Sequence, residues 1–432
     1  MNTRLYNARI LKMTDEMSII NGEVWVKGNI IDYVGADNQT PDYAFDQEID
    51  CVGNLLMPGF KNAHAHAPMT FLRSFADDLP LQDWLFKQVF PAEGKLTGED
   101  IYHLTKLAIL EYLTSGITAS FEMYFEYENM SRAAIEMGYR MVFCGSVSGK
   151  VNEEQSVLKR VENEYETYNH LNGLISYHLG FHAEYTASKE LLEGMARIAE
   201  KYHAPVYTHN AETALEVSEC IDRHGVSPTK LFHRLGIYQY GGGGFHLVYS
   251  DHEDMDILKK NHVYAVTNPG SNVKLASGIA PVEEMYEKGI VVAIGTDGPA
   301  SNNSLDMFKE MFLTTGLQKI MKKDAAALSA DKVLKMATVN GAKTMRLEQC
   351  DTLEEGKLAD IIMIDLLKPN MQPINNIVKN LVYSGSKDNV LMTMIDGKIL
   401  YANNEFTNQA DIAQIYNQAN AIITRIQKEL SS

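Results

Sequence analysis

Leu55-Leu56-Met57-Pro58-Gly59-Phe60-Lys61-Asn62-Ala63-His64-Ala65-His66 is the stretch from which the rest of the chain is read. An apolar run, 55–60, leads into two histidines two residues apart. Side chains on a strand alternate faces, so His64 and His66 point the same way. Two imidazoles on one face of a strand end can hold one metal ion. An H-x-H pair alone carries little weight, because two unrelated loop histidines would look the same. Its meaning depends on whether other strand ends supply further ligands.

Outward from this run, seven more short apolar runs follow, at 117–123, 140–146, 175–182, 204–210, 243–249, 263–269 and 290–297. The segments between them read as helices. Residues 99–115 are periodic and stop at Gly116, a fitting end residue, and Thr97 with Asp100 resembles a capping box. Residues 188–202 carry Leu191, Leu192, Met195, Ile198, Ala199 and Tyr202 on one stripe. Strand and helix alternating eight times predict an α/β fold, a (β/α)8 TIM barrel over residues 55–357. A doubly wound sheet would carry G-x-G-x-x-G after its first strand, and none is found there. The glycine run 241–244 lacks a following Lys-Ser/Thr and precedes a strand, so it reads as a flexible approach to strand six. Residues 22–35 alternate apolar and polar like a hairpin, and the same texture returns at 359–365 and 390–400. These ends predict a small β-sandwich domain built from both termini, residues 1–54 plus 358–405. Residues 406–432 read as a terminal amphipathic helix.

The composition excludes several classes of function. The 432-residue chain carries a net charge of −17, a field that repels nucleic acid and anionic membrane. No apolar run approaches the roughly 20 residues that span a bilayer. The first residues, Met1-Asn2-Thr3-Arg4-Leu5-Tyr6, show no signal-peptide core. Cys51, Cys144, Cys220 and Cys350 are far apart and form no C-x-x-C pair, which suits a reducing compartment. A cytoplasmic protein acting on a small molecule is expected, and a homo-oligomer.

Barrel active sites sit at the C-terminal ends of the strands. Strand one ends in His64 and His66, strand five in His209 with Glu212 three residues on, strand six carries His246, and strand eight ends in Asp297. A lone histidine mostly satisfies a local hydrogen bond, and a strand-end Asp often caps a helix. Six ionisable residues at four strand ends make a stronger case. His64, His66, His209 and Asp297 form a nitrogen and oxygen set suited to one Zn2+, with Fe2+ or Mn2+ as alternatives. The metal would turn a bound water into hydroxide near neutral pH. Glu212 then suits a proton shuttle, and His246 could orient or polarise the hydroxide.

H-A-H after Met57-Pro58-Gly59-Phe60, His209 with Glu212, His246 and Thr296-Asp297-Gly298 together resemble the amidohydrolase superfamily, and the likeness covers nearly the whole chain. No lysine stands at the end of strand four to bridge two metals, so the pattern is closer to the mononuclear deaminase and chlorohydrolase branch. Asp83-Trp84-Leu85, Pro91-Ala92-Glu93, Asn268-Pro269-Gly270-Ser271-Asn272-Val273-Lys274-Leu275 and Gly295-Thr296-Asp297-Gly298-Pro299-Ala300-Ser301-Asn302-Asn303 resemble 5-methylthioadenosine/S-adenosylhomocysteine deaminases. That resemblance implies hydrolytic deamination of an aminopurine nucleoside, with Glu212 and Asp297 moving protons and His246 stabilising the adduct. It also implies Glu93 on the ribose hydroxyls, His182 on the substrate and Trp84 lining a thioether pocket. Arg160 is, on a loose alignment, the residue matching a carboxylate-binding arginine. The strand-four motif Phe181-His182-Ala183-Glu184-Tyr185-Thr186 and Tyr249 depart from the family pattern, which bears on substrate preference. Other amidohydrolase activities, such as guanine, pterin or cytosine-type deamination or s-triazine dechlorination, are the alternative, and a non-catalytic scaffold is a third reading.

Overall fold

The computed structural model describes all residues except 38, 80, 149–153, 408–409 and 432. Eight parallel strands lie side by side in chain order: β1 (Phe60–Ala65), β2 (Ile117–Met123), β3 (Arg140–Cys144), β4 (Ile175–Gly180), β5 (Val206–Asn210), β6 (Gly242–His246), β7 (Val263–Thr267) and β8 (Val292–Ile294). Just past β8, Asp297 N donates to His64 O at 3.0 Å, and Thr296 N donates to Asn62 Oδ1 at 2.8 Å. These bonds bring the last strand against the first, so the predicted barrel is present. Its interior is filled by Phe121, Tyr207 and Phe245 with smaller residues around them. The glycine run is part of this packing and not a flexible approach. Gly242, Gly243 and Gly244 lie within β6, and a side chain at Gly243 would meet the Tyr207 ring at 2.5 Å.

One strand differs from expectation. Leu55–Pro58 is not the start of the barrel. It pairs in parallel with Asn2–Leu11 and antiparallel with Ile361–Ile364, inside a nine-stranded sheet made from both ends of the chain. The chain crosses into the barrel at Gly59, whose N–H donates to Asp360 O at 3.0 Å while Phe60 N donates to Gly116 O at 2.9 Å. A side chain at Gly59 would collide with Thr118. Residues on both sides of the crossing are buried, so hydrophobicity alone leaves no mark there.

The terminal sheet is bent rather than split in two. Its edge strand Ile30–Gly35 folds back until Ile30 bridges Leu358 and Asn29 Nδ2 reaches Asp396 Oδ1 at 3.0 Å. Leu5, Val24, Ile361 and Met394 share the core so enclosed.

The helix α1 (Gly98–Thr114) starts at the capping box of Thr97 and Asp100 and ends before Gly116 at φ +73°. The outer layer includes α2 (Glu154–Tyr168), α3 (Lys189–Tyr202), α4 (Ala214–His224) and α5 (Met307–Lys322). The terminal helix α6 (Ile412–Leu430) buries Ile415, Ala419, Ile422 and Ile426. Its Arg425 bonds Asp100 Oδ2 at 2.6 Å and Lys95 O at 3.2 Å, bracing the segment between Glu93 and α1. Among the described residues no helix is long and apolar enough to cross a membrane.

Candidate metal centre and active site

The ends of β1, β5 and β8 bring His64, His66, His209 and Asp297 together, all buried, with one ligand atom from each lying within 4.8 Å of the others. His64 Nε2 is 3.2 Å from His209 Nε2, and Asp297 Oδ1 is 3.1 Å from His66 Nε2 and 3.5 Å from His64 Nε2. Backbone carbonyls fix two of the rings. His209 Nδ1 donates to His182 O at 2.7 Å, and His66 Nδ1 donates to Met123 O. Both therefore turn an Nε2 lone pair inward, as metal-binding imidazoles do. Burial pushes His64 down to about 3 and His209 well below its ordinary range, which keeps both rings neutral. Burial acts on His66 as well, but the adjacent Asp297 outweighs it and raises that ring. Three imidazole nitrogens and one carboxylate oxygen, buried and convergent, fit a zinc-type ion.

Asp297 has two differently employed oxygens. Oδ1 faces the histidines, whereas Oδ2 accepts hydroxyls from Ser271 at 2.6 Å and Ser301 at 2.9 Å. Asp297 and His246 hold the left-handed backbone, φ +59° and +74°, that non-glycine residues seldom adopt. His246 Nδ1 donates to Asn272 Oδ1 at 2.8 Å, which leaves Nε2 4.0 Å from Asp297 Oδ2. Glu212 Oε1 lies 3.9 Å from His246 Nδ1 and accepts from Ser277 Oγ at 3.4 Å. Burial raises the Glu212 pKa above the usual carboxylate range.

The expected substrate contacts divide. Glu93 lies on the turn Phe90–Glu93, accepts from Tyr124 Oη at 2.5 Å, and is pushed up to about 7 by burial. The His182 ring stands 4.9 Å from that of His209 and 6.4 Å from that of Phe90, and burial lowers it to about 4. Trp84 is buried in the turn Leu81–Trp84, packed in the main apolar core. Arg160 is a correction. It sits on α2 with its side chain 60% exposed and pairs with Glu164 one turn on at 3.6 Å. An outer-layer helix turns it to solvent, and it is not brought to the cluster.

Two residues escaped the sequence reading. Glu122, near the end of β2, accepts from Ala67 N at 2.7 Å and Tyr112 Oη at 2.8 Å, pinning the turn after His66. Glu216 accepts from Ala211 N at 3.0 Å and Glu212 N at 2.7 Å, holding the loop that presents Glu212. Glu122 was visible as an acid at a strand end. Glu216 reads as one more helix-face charge, and nothing in its spacing separates it from a solvated one.

A (β/α)8 hydrolase with a metal-binding group at the C-terminal rim is the class these features define. The chain belongs to the amidohydrolase family, whose model matches residues 55–400. A 5-methylthioadenosine/S-adenosylhomocysteine deaminase from Thermoanaerobacter pseudethanolicus is 38% identical over 412 residues, 94% of this chain and 95% of the relative. A crystal structure of an adenosine deaminase from Xanthomonas campestris with bound zinc superposes with a TM-score of 0.93 at 29% identity, covering 99% of this chain and 98% of the other. An atrazine chlorohydrolase from Arthrobacter aurescens complexed with zinc, at 21% identity and a TM-score of 0.90 over 98% of this chain and 100% of its own, shares the fold.

Proposed function

We propose that this enzyme hydrolyses the exocyclic amino group of an aminopurine nucleoside, releasing ammonia and the inosine-type product. The observation that carries the reading is the row Glu212, His246 and Asp297, spaced 3.9 and 4.0 Å apart beside the His/His/His/Asp cluster. His64, His66 and His209 through Nε2 and Asp297 through Oδ1 would hold the ion, for which zinc is the proposed identity. A bound zinc supplies Lewis acidity, lowering the pKa of a water molecule in the site toward about 7.

The protein's own residues handle the protons. Glu212 takes one from the attacking water and passes it to the ring nitrogen beside the amino-bearing carbon. Its burial suits it to hold that proton between the two transfers. Asp297 takes the second proton on Oδ2 and delivers it to the departing ammonia. His246 turns its Nε2 lone pair toward this centre, where it accepts a hydrogen bond from the attacking water and orients it. Glu93, fixed through Oε1 by Tyr124, offers its other oxygen to the ribose hydroxyls, and His182, 6.4 Å from the Phe90 ring, is the proposed second substrate contact.

The names of the 38% and 29% identical proteins support a nucleoside substrate. Arg160 points to solvent and offers no cation for a homocysteine carboxylate, which favours 5'-methylthioadenosine or adenosine over S-adenosylhomocysteine. Glu212→Gln tests the shuttle. Metal content is expected to stay at the wild-type level while turnover falls by roughly 10²-fold or more. Unchanged turnover would remove Glu212 from the mechanism.

A further inference from the structure

One metal-cluster histidine lacks what the other two have. His66 and His209 each place an Nδ1–H on a backbone carbonyl, but His64 Nδ1 is buried with no hydrogen-bond partner among the described residues. The omission matters because a neutral imidazole carries its proton on one nitrogen or the other. Without an acceptor at Nδ1, nothing selects the tautomer that frees Nε2, the atom aimed at His209 and Asp297. A buried N–H left unpaired also destabilises the fold.

A second orphan lies close by. Asn268, immediately after β7, is 0% exposed, and neither its Oδ1 nor its Nδ2 has a partner among the described residues. Between it and His64 stands Gly295. A methyl group on Gly295 would lie 2.5 Å from Asn268 Oδ1 and 2.8 Å from both His64 Cβ and His64 N. The bare glycine thus lets an amide from β7 reach across β8 to the histidine on β1. Two unpaired, complementary polar groups meeting over one glycine are unusual in a core where buried polar atoms are nearly always paired.

Building on the metal reading above, we infer that Asn268 Oδ1 accepts the His64 Nδ1–H through one buried water, and so positions His64 Nε2 for the ion. Asn268 is then a positioning residue for the metal centre, and Gly295 is required for its reach. The Asn272 side chain does the same for His246 through the next turn, at 2.8 Å.

The test measures zinc affinity by competition with a chelator, beside the melting temperature of the metal-free protein. Asn268→Leu keeps the branched shape without the acceptor, and Asn268→Asp keeps the acceptor. The expected result is zinc affinity lower by roughly 10- to 100-fold in Asn268→Leu, the scale of outer-shell losses. Its metal-free melting temperature should lie somewhat below wild type, because the His64 Nδ1–H loses its acceptor while the rest of the fold is untouched. Asn268→Asp should bind zinc within about threefold of wild type. Asn268→Leu with wild-type affinity, or Asn268→Asp as weak as Asn268→Leu, would overturn the inference. Wild-type protein that takes up no zinc would instead overturn the metal reading itself, and this inference with it.

Discussion

Tyr124 shows how much a single side chain decides in this site. Its hydroxyl holds Glu93 Oε1 at 2.5 Å, and its carbonyl accepts from Ser146 Oγ, so the carboxylate has one fixed and one available oxygen. Tyr124→Phe removes the donor and keeps the ring that stacks on Phe125 at 4.3 Å. Steady-state kinetics on a nucleoside should show KM raised by roughly 3- to 10-fold, the net worth of one ordinary hydrogen bond, with kcat nearly unchanged. A fall in kcat at constant KM would mean that Glu93 does not act on the sugar. The clustered residues were legible because they interrupt apolar runs: His64, His66, His209, His246 and Asp297 stand where strands end. Arg160 misled because a charged residue on an outer helix carries no such positional signal. Asn268 stands inside a longer polar motif, and its lack of partners is a property of packing that no spacing reveals.

At the scale of elements, buried carboxylates tie the rim loops to one another. Glu310 on α5 accepts from Gly270 N at 2.8 Å and Asn302 Nδ2 at 2.9 Å, joining the loop after β7, which carries Ser271, to the loop after β8, which carries Ser301. Burial pushes Glu310 from 4.5 up to about 7. An acid raised on folding keeps a proton that the unfolded chain has already released. Its contribution to stability is therefore present at low pH and is lost as pH rises from about 4.5 to about 7. Glu310→Gln keeps an acceptor oxygen and has no proton to lose. Between about pH 5 and pH 8 the melting temperature of this variant should gain on that of wild type, at constant zinc. A difference that does not move with pH would show that Glu310 is not held protonated. Elements themselves were mostly visible in the chain, α1 with its cap and stop above all. The sheet to which the strand Leu55–Pro58 belongs was not, because Pro58-Gly59-Phe60 crosses between two sheets through continuous buried residues.

The whole molecule is joined at the floor of the barrel. Arg140, which opens β3, bonds Asp360 twice, Nε to Oδ2 at 2.7 Å and Nη2 to Oδ1 at 3.0 Å, with both side chains almost fully buried. Asp360 Oδ1 also accepts from Asp396 N at 2.8 Å, so one carboxylate couples the barrel to the terminal sheet. Asp360→Ala strands a buried guanidinium and should cost about 3–5 kcal/mol in urea unfolding. Replacing both partners with apolar residues should recover most of that loss, and a single variant as stable as wild type would show that the pair does not join the two parts. The composite character of the terminal domain was readable from the matching texture of the two ends. Its bent single sheet was not, since register and curvature depend on contacts such as Ile30 with Leu358 that are distant in the chain.

In the function proposed above, a buried His/His/His/Asp centre served by Glu212 removes the amino group of a purine nucleoside. The most direct test is ammonia release by the zinc-loaded protein from 5'-methylthioadenosine, adenosine and S-adenosylhomocysteine, set beside guanine and melamine. Ammonia should come from 5'-methylthioadenosine or adenosine and not from the bare rings. Turnover of guanine or melamine with no ammonia from any nucleoside would contradict the account.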